Sequence, residues 1–174
     1  MSAEPTSRSD SCAYVVDDDG LSRWSDTHAD AWIGLLETHK RLTRALDAEL
    51  ETAHGLTLSG LEVLGRLAAA PGRCLRLSDV AAATGLSLSR ISRIVDTLCA
   101  RGLTERRASP GDARAVDAHL TDGGLALARA AQATHFASVQ ERFFDQLDPT
   151  ELATFAQVFG RFAPRAAEQC DAER

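Results

Sequence analysis

Three observations predict a mainly α fold with one small β ribbon. Apolar residues recur at three- and four-residue steps over several long stretches, the period of a helix with one buried face. Between Leu75 and Gly123, two shorter helix signals are separated by a glycine turn. Directly after them come two strand-like runs joined by the turn Ala108-Ser109-Pro110-Gly111-Asp112. Helix, turn, helix and ribbon in that order describe a winged helix-turn-helix lobe.

In chain order, residues 1–27 are polar, hold Asp17-Asp18-Asp19-Gly20 and lack apolar periodicity, so a flexible tail is expected, with Leu21 and Trp24 able to dock it locally. The remaining 28–174 read as a single domain. A long helix is expected from Asp30 to about Thr52, its apolar face formed by Trp32, Leu35, Leu36, His39, Leu42, Leu46, Leu50 and Ala53, with His54-Gly55 ending it. Thr57 is placed to cap the next helix, which runs to Ala70 and stops at Pro71-Gly72. Arg73 to Leu77 fits a short strand pairing with the wing. The lobe so defined spans 56–120.

Within it, Ser78 is expected to cap a helix over Asp79 to Thr84, closed by Gly85. Ser87 caps a second helix from Leu88 to about Arg101, stopped by Gly102. Ile91, Ile94, Val95 and Leu98 make its buried stripe, and Ser89, Arg90, Ser92 and Arg93 its polar, basic side. A helix so placed lies in the DNA major groove with its N-terminal residues at base edges. Arg114, near the tip of the ribbon, is placed to enter a neighbouring minor groove, where negative potential attracts a guanidinium. The expected DNA-contacting set is Ser87, Ser89, Arg90, Ser92, Arg93, Arg107, Asp112 and Arg114.

After the wing, Thr121-Asp122 starts a long helix with Leu125, Ala128, Ala131, Phe136, Val139, Phe143 and Leu147 on its apolar face. Asp148-Pro149-Thr150-Glu151 then starts a last helix: cap, proline in the first turn, and an acid three residues on. The helices at 28–54 and 121–170 exceed what a winged lobe needs for its own core. Their faces are satisfied by folding the chain ends together as a helical dimerisation lobe and pairing it with a second copy.

The net charge is −6, which is unfavourable for a DNA binder until it is mapped. Residues 72–117 hold 8 basic against 5 acidic side chains, while residues 1–71 hold 6 against 12, and 118–174 hold 5 against 8. Positive charge is thus confined to the segment the motif picks out. The N-terminus lacks a signal-peptide pattern and no apolar run reaches the ~18 residues of a membrane span, so cytoplasmic residence without membrane association is expected. The four cysteines (Cys12, Cys74, Cys99, Cys170) have no paired spacing, so neither a metal site nor a disulfide framework is expected. The acidic run at 17–19 lacks the downstream ligands of a calcium loop. With no phosphate loop and no nucleophile elbow either, no enzyme and no cofactor are expected.

From about Asp30 to Pro164 the chain resembles the MarR family, the multiple-antibiotic-resistance regulators. The most specific parts are LSDVA, then GLSLSRISRIVDTLCARGLTER, then the wing SPGDARAVDAHLT. The family's Leu-Thr-x-x-Gly sequence after the wing is matched by Leu120 to Gly124, and its wing aspartate and arginine by Asp112 and Arg114. The resemblance implies a dimeric regulator of transcription, commonly a repressor on a palindromic operator, released by a small aromatic or phenolic anion. It also implies an effector pocket between the helical and DNA-binding lobes, for which Trp32, His39, Glu62, Arg66 and Arg93 are the candidates, with His135 nearby on the long helix. Trp32 and His39 read first as core residues of an amphipathic helix, and His135 equally as surface or dimer contact.

Two other readings are open. A redox-sensing branch of the family uses a reactive cysteine near the first helix with tyrosine partners. Here Cys12 and Tyr14 lie well before that helix and no second tyrosine exists. Alternatively, a winged helix can serve protein interaction without DNA, but it then has no need of the basic helix face and wing.

Overall fold

The computed structural model describes residues 14–109 and 112–162, with the backbone alone at 112–114. Two compact units divide at Arg44, inside the first helix.

In the first unit, strand β1 (Tyr14–Val16) pairs antiparallel with β2 (Ser22–Trp24), bringing Tyr14 opposite Trp24. The two rings meet edge to face at 6.2 Å. Where a polar tail is expected, residues 14–24 thus form a hairpin. The aspartate run makes its turn: Gly20 takes φ +80°, its N–H donates to the Asp17 carbonyl (2.8 Å), and Asp19 accepts from the Leu21 N–H (3.0 Å). Arg23 pairs with Asp17 across the hairpin. Helix α1 (Asp26–His54) begins four residues before the expected Asp30, its first turn received by the Ser25 carbonyl. Trp32 is half exposed and His39 is exposed, so neither is the core residue that periodicity suggests.

The second unit begins at Ala45 and holds a core of Leu50, Leu56, Val63, Leu64, Leu67, Val80, Ile91, Val95, Leu98 and Ala131. Thr57 caps α2 (Leu58–Ala69) by accepting from the Gly60 N–H at 3.1 Å, as expected. A 3₁₀ turn at Pro71–Arg73 leads to β3 (Cys74–Arg76), which runs straight into α3 (Leu77–Thr84). The α3 start falls two residues earlier than the serine signal implies. Arg76 is at the cap without a side-chain bond, and the Ser78 hydroxyl, now inside the helix, donates to Asp79 (3.2 Å). Gly85 closes α3 in the left-handed region at φ +67°.

Ser87 caps α4 (Leu88–Ala100), and Ile91, Val95 and Leu98 point into the core. β4 (Thr104–Ser109) and β5 (Asp112–Leu120) form the wing, and β3 joins them in an antiparallel sheet of order β3-β5-β4. Its register sets Cys74 beside His119 beside Glu105, and Arg76 beside Asp117 beside Arg107. These six residues therefore share one face of the sheet, since side chains two apart on a strand point the same way.

Thr121 caps α5 (Asp122–Arg142), accepting from the Gly124 N–H (2.9 Å) while its hydroxyl reaches the Leu103 carbonyl (3.1 Å). Helix α5 stops at Arg142 rather than Leu147, and a 3₁₀ turn follows at Phe144–Gln146. Its inner face also differs from expectation: Ser138 is buried and Phe136 is exposed. The reason is a polar bond, in which the Ser138 hydroxyl donates to Glu49 and accepts from Arg142 Nε at 3.1 Å. Helix α6 (Pro149–Gly160) carries the expected capping box between Asp148 and Glu151.

Candidate nucleic-acid interface

The exposed side of α4 is built from its first three turns. Ser87 accepts from the Arg90 N–H at 3.3 Å and lies 3.1 Å from the Ser89 hydroxyl, so both hydroxyls sit at the positive end of the helix dipole. Ser89, Arg90 and Arg93 are exposed. Among the described residues, neither the Arg90 nor the Arg93 side chain has a hydrogen-bond or ion-pair partner. Both line a groove of about 560 Å³ with Thr57, Thr97 and Arg101.

The other arginine side chains described in this region are paired within the fold. Arg101 donates to the carbonyls of His54 (2.9 Å) and Gly55, closing the end of α1. Arg106, on β4, reaches the Ser92 hydroxyl (2.7 Å), the Ser92 carbonyl (3.0 Å) and Asp96 (3.0 Å). The structure therefore places Ser92, expected on the free polar face, against the wing strand. Arg107 pairs with Glu105 at 2.9 Å. Arg76 donates to Ser109 at 3.2 Å. Asp112 and Arg114 lie on the wing backbone, and their side chains fall outside the described residues.

Neither Arg101 nor Arg106 has a role legible in the sequence alone. A partial signal for Arg106 exists, because alternation along β4 turns it toward α4, opposite to Glu105 and Arg107. Leu88, a half-exposed apolar residue in the first turn of α4 (54%), likewise lies outside the expected DNA-contacting set.

The expected effector residues do not gather in one place within the second unit. Glu62 and Arg66 form an i,i+4 ion pair at 3.3 Å. With His135, Arg129, Leu61 and Phe136 they line a groove of about 750 Å³ between α2 and α5. His135 Nδ1 is buried there without a hydrogen-bond partner. Arg93 belongs to the other groove. Trp32 and His39 belong to the first unit.

A second cluster comes from the outer face of the sheet. Cys74, Asp117 and His119 each offer a ligand atom, and the three atoms lie within 4.8 Å of one another. Sequence spacing hid it, because its members come from two strands 45 residues apart. No helix among the described residues is long and apolar enough to cross a membrane.

Comparison with known proteins gives the same architecture an identity. The family model described as MarR family matches residues 54–115. Among solved structures, AbsC, a MarR family transcriptional regulator from Streptomyces coelicolor, is 33% identical, with 87% of this chain and 99% of that chain covered at a TM-score of 0.73. Sco3205 from the same organism, solved in complex with DNA, is 28% identical over 79% of this chain and 86% of that chain, again at 0.73. A cysteine-to-serine mutant of MarR from E. coli, complexed with operator DNA, is 25% identical over 80% of this chain and all of that chain, at 0.66. No match was found among curated proteins. A helix-turn-helix with its wing in register, and an identity of 33% along nearly the whole of AbsC, lead to one conclusion: the chain belongs to the MarR family.

Proposed function

We propose that the protein regulates transcription by binding double-stranded DNA as a homodimer, each copy laying α4 in the major groove of one half of a palindromic operator. The observation that carries this reading is the division of labour among the arginines. Arg101, Arg106 and Arg107 are paired within the fold, whereas Arg90 and Arg93 stand exposed and unpaired on α4. An unpaired guanidinium there is free to grip phosphate or the O6 and N7 of a guanine. Ser87 and Ser89 add hydroxyl donors at the helix start, and exposed Leu88 suits a thymine methyl. Arg114 and Asp112 complete the interface from the wing. The DNA complexes of Sco3205 and E. coli MarR support the same use of the fold here.

The homodimer has support in unpartnered aromatic surface. No residue of α6 is buried, and Phe155 stacks on Phe159 at 4.3 Å while Phe162 is 79% exposed. A patch of this kind asks for a partner face. A two-fold dimer would set two recognition helices roughly 34 Å apart, one turn of DNA. A regulator working on chromosomal DNA resides in the cytoplasm.

Ligand response is the finer part of the proposal. The groove between α2 and α5 has apolar walls from Leu61, Leu125 and Phe136 with Arg66, Arg129 and His135 at its edge, a chemistry suited to a small aromatic anion. A ligand held there would repress or release DNA only by as much as it prefers one dimer geometry, about 1–3 kcal/mol. The test is fluorescence anisotropy with the DNA upstream of the protein's own gene, with and without phenolic acids, alongside light scattering. Specific, salt-sensitive binding by a dimer is expected. A folded, soluble monomer, or equal affinity for unrelated DNA, overturns the reading.

A further inference from the structure

We propose that Cys74, Asp117 and His119 form a binding site for a single borderline-soft divalent cation, zinc foremost, that staples β3 to β5 at the foot of the wing. Cys74 and His119 are direct partners across the two strands, and Asp117 lies two residues along β5 on the same face. That arrangement presents one sulfur, one nitrogen and one oxygen ligand from a rigid sheet, the donor set zinc takes in tetrahedral sites.

Distances agree with this assignment. Cys74 Sγ lies 3.1 Å from His119 Nε2. Ligands at about 2.3 Å (sulfur) and 2.0 Å (nitrogen) from a tetrahedral metal stand roughly 3.6 Å apart, so an opening of about half an ångström suffices. A buried carboxylate supplies an independent observation. Asp117 is only 7% exposed, yet its Oδ1 has no hydrogen-bond partner. Leaving a buried carboxylate oxygen unpaired is costly, and a cation at the cluster removes that cost. A bound dication would be balanced by one thiolate and one carboxylate, leaving the site neutral.

Occupancy would also change the partner of a wing arginine. Arg107 faces His119 Nδ1 at 3.4 Å, and since a guanidinium only donates, this contact leaves the ring proton on Nε2. Coordination through Nε2 moves that proton to Nδ1, and the Cys74 proton goes to solvent. Arg107 then loses its histidine acceptor and keeps Glu105 alone.

The experiment uses the full-length protein, reduced and stripped of metal, titrated with Co²⁺ and then Zn²⁺. One Co²⁺ per chain is expected, with a thiolate-to-cobalt charge-transfer band in the near ultraviolet that Zn²⁺ abolishes and Mg²⁺ does not. The thermal midpoint should rise with Zn²⁺. Cys74→Ser and His119→Gln should each remove the band and weaken Zn²⁺ binding on the order of 100-fold or more. Cys12→Ser with Cys170→Ser should keep both. Circular dichroism establishes that each variant is folded, and Asp117→Asn gives a third, nearly isosteric variant. Absence of the band in the wild type, or its survival in Cys74→Ser, overturns the proposal. None of these readouts involves DNA, so they stand or fall apart from the regulatory reading.

Discussion

Arg106 Nη2 of the wing strand reaches both the hydroxyl (2.7 Å) and the main-chain carbonyl (3.0 Å) of Ser92 in the middle of α4. The same nitrogen lies 3.0 Å from Asp96. Helix and wing are therefore tied by a charge-assisted contact at the point where both would meet DNA. The contact fixes the angle at which α4 is presented, and it removes Ser92 from the list of free hydroxyls.

Because the tie is a pair, it is measurable as a coupling. Arg106→Ala and Ser92→Ala should each destabilise the fold, and their double-mutant cycle should give a coupling of about 0.5–1.5 kcal/mol in urea unfolding. Additive effects within ~0.3 kcal/mol would mean that the contact does not join helix to wing in solution.

Arg90→Ala and Arg93→Ala should behave differently. Neither side chain has a partner to lose among the described residues, so stability should stay within ~0.5 kcal/mol of wild type. DNA affinity should fall by roughly 1–3 kcal/mol for each, and the salt slope by about one unit where the lost contact is to phosphate. Unchanged affinity at two salt concentrations for both variants would take α4 out of the DNA interface.

Gly124 sits where a Cβ would stand 2.0 Å from the Leu103 carbonyl oxygen and 2.7 Å from Leu120 Cδ1. Gly124→Ala must push the start of α5 away from the end of the turn before β4. A loss of about 1–3 kcal/mol is expected, seen as a lower unfolding midpoint. Gly123→Ala serves as the control, since its nearest such contact is 3.7 Å. Equal midpoints for the two variants would contradict this packing.

Glu49 is held below the ordinary glutamate range, first by the Ser138 hydroxyl and then by Arg142, against an opposing contribution from desolvation. A depressed folded value stabilises the protein above the unfolded value of about 4.3, and that contribution is lost as pH falls through the folded one. Glu49→Gln should therefore lose more stability near neutral pH than at about pH 3, judged from urea midpoints at both. A loss independent of pH would show that the carboxylate charge is not what joins α1 to α5.

Much of this protein was decided locally. Helical period, the caps at Thr57, Ser87, Thr121 and Asp148, and the glycines at 85 and 102 each act within a few residues, so the order of elements, the winged lobe and its basic helix could be read directly from the chain. Even the family likeness rests on such short-range features, with Gly124 in its Leu-Thr-x-x-Gly sequence explained by one close backbone approach. Other features depended on residues far apart in sequence. Periodicity counted Phe136 as inward, but a bond between Ser138 and Glu49, 89 residues away, turned α5 to bury a serine instead. The aspartate run looked like solvated tail until its turn brought Tyr14 onto Trp24. Arg93 and Arg106 are both arginines of the basic segment, and only the strand register and the packing of β4 on α4 left one free and bound the other. The cluster of Cys74, Asp117 and His119 exists for the same reason. Strand pairing sets residues 45 apart side by side, and no spacing along a single chain encodes that distance.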